Sequence, residues 1–232
     1  MFIKIFGIAA TLFAALLINS FYFGYTLHLS IDSDKYQVRG IDVSHHQGEI
    51  DWSMVSNDNV SFAYIKATEA DDFIDNQFAK NLANAQSAGL KVGAYHFYSL
   101  GYPGEIQAQN FISQVPTSTI NLPPVIDLEY VGNSKIRPTK EQFQKELKIF
   151  IKLTEDYFMQ EPVLYTTYEF SEDYLVPEFS NYKIWIRDIF GKPNESKIKN
   201  IVFWQYHSRG RVKGIDGPVD LNFYKENSML EF

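Results

Sequence analysis

The stretch Pro123-Pro124-Val125-Ile126-Asp127-Leu128-Glu129-Tyr130 reads as a buried strand that ends in acids. Val125 and Ile126 are apolar and β-branched, as in a strand covered on both faces. Side chains alternate along a strand, so Asp127 and Glu129 point the same way, with backbones roughly 6.6 Å apart at about 3.3 Å of rise per residue. Two acids held so can flank a glycosidic bond, one donating a proton while the other stabilises positive charge. Alone, Asp-x-Glu is also the pattern of two solvated acids on an edge strand, so its meaning depends on the rest of the chain.

Working outward, similar short runs of β-formers occur at 38–44, 62–68, 92–98, 163–168, 183–188, 201–207 and 219–223. Helical patterns separate the early ones. Residues 51–56 form a short candidate. Residues 76–88 place Phe78, Leu82 and Ala85 on one face before the stop signal Gly89. A third covers 105–115. The strongest starts at Thr139, with Gln142 completing a capping box and an apolar stripe through Phe143, Leu147, Phe150, Thr154, Tyr157 and Phe158. A short fifth covers 169–175. Strands alternating with helices imply a mostly parallel sheet. The expected fold is α/β: an irregular TIM-like (β/α) barrel with eight strands and about five helices. An open doubly wound sheet is the competing arrangement.

In such a barrel, chemistry gathers at the C-terminal ends of the strands. The first run carries Asp42, the fourth Asp127 and Glu129, and the last opens on Asp220. First and last strands are neighbours in a closed barrel, so Asp42 and Asp220 are expected side by side, and four acids would ring one mouth. Tyr95, Tyr165, Trp185 and Gln205 fall on strands around them and are candidate substrate contacts. Duller roles exist for many residues here. Asp51 can cap a helix, Lys66 can pair with a barrel acid, His45 and His96 can be structural hydrogen-bonders, and Trp204 can be core. Only their joint placement around one mouth points to function.

Composition narrows the classes. The chain has 232 residues, 45% hydrophobic and 21% charged, which suits a globular domain. A net charge of −7 with no basic cluster argues against nucleic-acid binding. Zero cysteines exclude disulfides, thiolate metal sites and a cysteine nucleophile. Residues 5–25 are almost wholly apolar, long enough to span a bilayer core of roughly 30 Å as a helix. Lys4 before the run, with Asp32 and Asp34 beyond it, places the N-terminus in the cytoplasm. Residues 1–25 are therefore read as a signal anchor, with a cleaved signal peptide as the alternative, 26–37 as a tether, and 38–232 as the barrel domain. Either way the domain is exported. It is anchored in the inner membrane facing the periplasm or cell exterior, or secreted if the segment is cleaved.

The motifs resemble a known family. Gly40-Ile41-Asp42-Val43-Ser44-His45-His46-Gln47-Gly48-Glu49-Ile50-Asp51-Trp52 resembles the opening motif of family 25 glycoside hydrolases, the Chalaropsis-type lysozymes. Val92–Tyr98 resembles their third strand and Pro124–Glu129 their catalytic strand. Phe203-Trp204-Gln205-Tyr206 and Gly214–Asn222 resemble the closing motifs. The likeness runs in order from about residue 38 to 224. It implies hydrolysis of the β-1,4 bond between N-acetylmuramic acid and N-acetylglucosamine in peptidoglycan, with assistance from the substrate's own acetamido group. Glu129 would be the acid, Asp127 an ionised stabiliser, and Asp42 and Asp220 supports. No metal or cofactor is expected. The expected partners are peptidoglycan glycan strands, and a monomer is expected. Two departures stand out: Arg187 follows Trp185-Ile186 where a small residue is expected, and His45-His46 is polar. Neither is expected to touch the acids. A chitinase-like glycosidase and a glycan-binding barrel without catalysis are the alternatives.

Overall fold

The computed structural model describes Tyr36 and residues 38–225. The expected anchor and most of the tether lie outside the described residues. Among the described residues no helix is long and apolar enough to cross a membrane.

Nine strands form one sheet that closes on itself: β1 (Val38–Val43), β2 (Phe62–Glu69), β3 (Phe73–Ile74), β4 (Lys91–Phe97), β5 (Val125–Leu128), β6 (Val163–Thr166), β7 (Ile184–Arg187), β8 (Ile201–Gly210) and β9 (Val219–Tyr224). The order β1-β9-β8-β7-β6-β5-β4-β2, with β2 also paired to β1, makes an eight-stranded barrel. The two-residue β3 is a flap on β2 that the sequence reading missed. It is too short for periodicity to show, and Phe73 and Ile74 are exposed. The barrel is parallel from β1 through β8, but β9 runs antiparallel to both β8 and β1. The start of β9 therefore lies beside the ends of the other strands.

Among the described residues five α-helical segments pack outside: α1 (Trp52–Ser56), α2 (Phe78–Ser87), α3 (Gly104–Gln114), α4 (Lys140–Phe158) and α5 (Tyr168–Phe170), which continues into a widened π turn over Ser171–Leu175. Asp51 caps α1 by accepting from the Met54 amide at 3.1 Å. The capping box of α4 forms as read, with Thr139 and Gln142 satisfying each other's backbone amides. Phe143, Leu147, Phe150 and Thr154 are buried against the barrel, whereas Tyr157, near the helix end, is 37% exposed.

Strand alternation sorts the core into two layers. Phe62, Tyr64, Val125, Val163, Tyr165, Trp185, Phe203 and Tyr224 form one cluster inside the barrel. Their neighbours in sequence, such as Ala63, Ile65, Ile126, Leu164, Ile186 and Trp204, belong to the layer shared with the helices. Glycine makes the inner layer possible. A Cβ at Gly40 would sit 2.3 Å from the Phe62 ring, and one at Gly93 would sit 2.2 Å from Tyr64. Large rings thus fill the barrel floor, each contributing about 2–3 kcal/mol of burial, and whatever lies one inward step above them must face the mouth.

Candidate active site

That next inward step is polar. Two residues beyond Gly40, Tyr64, Val125, Trp185 and Phe203 stand Asp42, Lys66, Asp127, Arg187 and Gln205. On the reversed β9 the same inward row, read back from Tyr224, is Asn222 and then Asp220. Asp42 and Asp220 are direct register partners, as expected from closure. Asp42, Asp127, Glu129 and Asp220 all line one cavity of about 190 Å³. Strand β5 ends at Leu128, so Glu129 lies one residue beyond it, yet it lines the same space.

Each acid is held by its neighbours. Asp42 Oδ2 accepts from Asn222 Nδ2 at 2.7 Å, and Asn222 Oδ1 accepts from the Trp185 indole N–H at 3.0 Å. Asn222 is fully buried, so this relay fixes Asp42 from below. Asn133 does the same for the loop carrying Glu129. Its amide N–H donates to the carbonyls of Glu129 (2.9 Å) and Tyr98 (2.8 Å), and its side-chain oxygen accepts from the Leu100 amide at 2.9 Å. Sequence reading missed both asparagines as positioning residues. Asn222 was inside a quoted motif, whereas Asn133 carries no periodic or spacing signal. Asp127 is buried, and its Oδ1 has no hydrogen-bond partner among the described residues.

The candidate substrate contacts also reach the cavity, in different ways. Tyr95 is half-buried on its wall. The Tyr165 hydroxyl donates to Gln205 Oε1 at 2.6 Å, and both are buried. Trp185 is only 2% exposed, edge-on to Tyr165 and packed against Tyr64. It forms the floor, with no open face for stacking. Trp204 lies in the outer layer, its indole donating to the Asp188 carbonyl. His96 is sealed between Thr68 and Gln107, and burial lowers its pKa to about 3, so it is a neutral structural group. His45 pairs with the buried Asp75 at 2.9 Å, while His46 lines the cavity. Lys66 lines the same cavity and pairs with Glu69.

Electrostatics tie the acids together. Burial raises all four carboxyls. Glu129 rises to about 7, with Arg187 the larger opposing charge, then Asp42 pushing up and Lys66 pulling down. Asp42 rises to about 6, restrained by the Asn222 bond and by Arg187. Asp127 is pushed well up by burial and then by the Glu129 charge, and Asp220 by burial and then by Asp42. Arg187 acts electrostatically on Glu129, Asp42 and Asp220, and His46 lines their cavity, while among the described residues neither makes a hydrogen bond or ion pair to any of the four acids. The Glu129 charge disfavours ionisation of Asp127, so the two carboxyls titrate together.

Acids at the C-terminal mouth of an eight-stranded barrel, in this order along the chain, match one family. The model for glycosyl hydrolases family 25 fits residues 41–215, three-quarters of the chain. The chain belongs to glycosyl hydrolase family 25. Lysozyme M1 of Streptomyces globisporus is 33% identical over 208 residues, spanning 82% of this chain and 68% of that protein. The protein YegX of Escherichia coli K12 is 32% identical over 194 residues, spanning 82% and 70%. A family 25 glycosyl hydrolase from Bacillus anthracis superposes with a TM-score of 0.79 at 38% identity, covering 87% of this chain and 94% of that one. This family 25 chain is a glycoside hydrolase of lysozyme type. The family match ends before Asp220, so that residue's place in the site rests on the barrel register.

Proposed function

We propose that this family 25 hydrolase is a 1,4-β-N-acetylmuramidase that cuts peptidoglycan glycan strands between N-acetylmuramic acid and N-acetylglucosamine. The observation that carries the reading is the convergence of Asp42, Asp127, Glu129 and Asp220 on one cavity. The likeness to Lysozyme M1 supports it.

Glu129 is the proton donor. With its carboxyl raised to about 7, it is protonated in mildly acidic solution and can protonate the leaving glycosidic oxygen. Asp127 works through the substrate. Its Oδ1 is a buried acceptor without a donor among the described residues, and an acetamido N–H on the bound sugar would supply one. That bond favours the ionised form of Asp127, so substrate binding itself moves the shared proton toward Glu129. The anion then stabilises the positive charge that develops as the acetamido oxygen attacks the anomeric carbon. This route is retaining. Asp42, fixed by Asn222, and Asp220 beside it keep Asp127 and Glu129 in register. Tyr95, Tyr165 and Gln205 border the sugar, with Trp185 beneath. The reaction needs no metal or cofactor in this scheme. The hydrophobic segment at 1–25 exports the domain, as anchor or cleaved signal, and the enzyme acts as a monomer.

Clearance of a purified peptidoglycan suspension, followed by mass analysis of the fragments, tests the reading. New reducing ends on N-acetylmuramic acid are expected. Ends on N-acetylglucosamine would replace it with a glucosaminidase or chitinase-like activity, and binding without cleavage would leave a glycan-binding barrel.

A further inference from the structure

By strand alternation Arg187 stands on the inward row, beside the cavity-lining Gln205 though not itself part of the lining, and the reaction scheme leaves it unused. It ends β7, two residues after the floor residue Trp185, and its register partner is Gln205, which lines the cavity. Two cations act on the acids, Lys66 and Arg187. Lys66 is committed to Glu69 and lies over the Phe97 ring. Arg187 acts on Glu129, Asp42 and Asp220 only at a distance. No hydrogen bond or ion pair to a described residue holds its guanidinium, and none of its nitrogens is sealed from solvent. A guanidinium carries five donors in a planar fork that matches a carboxylate. Here that fork is half-buried at the edge of a reaction site with its donors unspent.

The substrate supplies a fitting group. Muramyl strands differ from neutral N-acetylglucosamine polymers in bearing carboxylates on the muramyl side arm. On strands stripped of peptide this is the lactyl carboxylate itself, and on intact strands it is an acidic residue of the stem peptide. Four clustered acids repel such a group, so it needs a local cation to enter. We propose that Arg187 is a specificity-determining residue that binds a side-arm carboxylate of the muramyl sugar and so directs the enzyme to muramic-acid strands. The inference rests on the muramidase reading above.

The test compares wild type, Arg187→Gln and Arg187→Lys on three strand preparations: intact, amidase-stripped, and stripped with the lactyl carboxyls converted to neutral amides. Thermal melting of each variant verifies folding. Arg187→Gln is expected to lose about tenfold or more in kcat/KM on carboxylate-bearing strands, mostly through KM, which is the worth of one charged hydrogen-bonded contact. On neutralised strands the ratio of wild type to variant should shrink several-fold. Arg187→Lys, which keeps the charge without the fork, should fall between. A penalty confined to stripped strands assigns the lactyl group, and one confined to intact strands assigns the peptide; either supports the proposal. An equal penalty, or none, on all three would overturn it and leave Arg187 acting only on the enzyme's own acids. If wild type cut none of the three, the muramidase reading would fall first, and this proposal with it.

Discussion

At the scale of single residues, the account turns on Glu129 keeping its proton. Its carboxyl is raised from an ordinary 4.5 to about 7, by burial first. Two consequences share one sign. Activity should fall as pH rises through about 7, when the acid is lost, and fall again in acid as Asp127 takes up a proton; a pH–rate profile of kcat/KM checks this. As pH rises, stability should move the same way. The folded protein holds a proton that the unfolded chain releases near 4.5. The carboxyl therefore costs nothing below that pH, the cost grows from 4.5 to 7, and it is constant above. Glu129→Gln should thus melt higher than wild type at pH 8, by a margin on the order of 2 kcal/mol, and the gap should close by pH 4. A variant less stable than wild type at pH 8 would contradict the assigned burial cost. The pair Asp127 and Glu129 was legible from a two-residue spacing on a strand. The relay from Trp185 through Asn222 to Asp42 was not, because sequence shows which face a residue takes but not which hydrogen bond it finds there. Trp185 is the instructive case: its inward direction was readable, its burial under the acids was not.

At the scale of elements, alternation carried most of the information. The eight main strands and the four longer outer helices lie where β-branched runs, caps and apolar stripes placed them, with ends shifted by at most three residues. What periodicity could not show is the role of two inward glycines. Gly40 and Gly93 give the space that Phe62 and Tyr64 occupy, and a missing side chain leaves no apolar signal. Gly93→Ala should therefore destabilise by about 1–3 kcal/mol through overpacking, measured by urea unfolding. An unchanged midpoint would mean that the Tyr64 ring shifts freely, and that the barrel floor is looser than described. The flap β3 escaped for another reason: its exposed Phe73 and Ile74 join β2 through two backbone pairings rather than through buried side chains.

At the scale of the whole molecule, closing the barrel and completing the site are one event. The last strand enters antiparallel, which the pattern of alternating strands and helices did not reveal. The run from Gly210 to Pro218 reads only as a loop, and a loop's length does not fix the direction of its return. Because β9 is reversed, Asp220 arrives beside Asp42 and Asn222 arrives beneath it. Asn222→Ala should then damage fold and activity together. It leaves the Trp185 N–H without an acceptor and Asp42 without its donor, at a cost of about 1–3 kcal/mol, and it should depress kcat. Unfolding and turnover measured on the same preparation check this, and loss of only one of the two would separate what the barrel register joins. The central claim, that Glu129 delivers the proton while Asp127 serves the acetamido group, meets its most direct test in leaving-group dependence. The kcat/KM of Glu129→Gln and Asp127→Asn is measured on peptidoglycan and on an aryl muramyl glycoside whose phenol departs without protonation. Glu129→Gln should lose about 10²–10⁴-fold on peptidoglycan and far less on the aryl glycoside, while Asp127→Asn loses on both; Glu129→Gln within tenfold of wild type on peptidoglycan, or equally impaired on both substrates, would contradict the account.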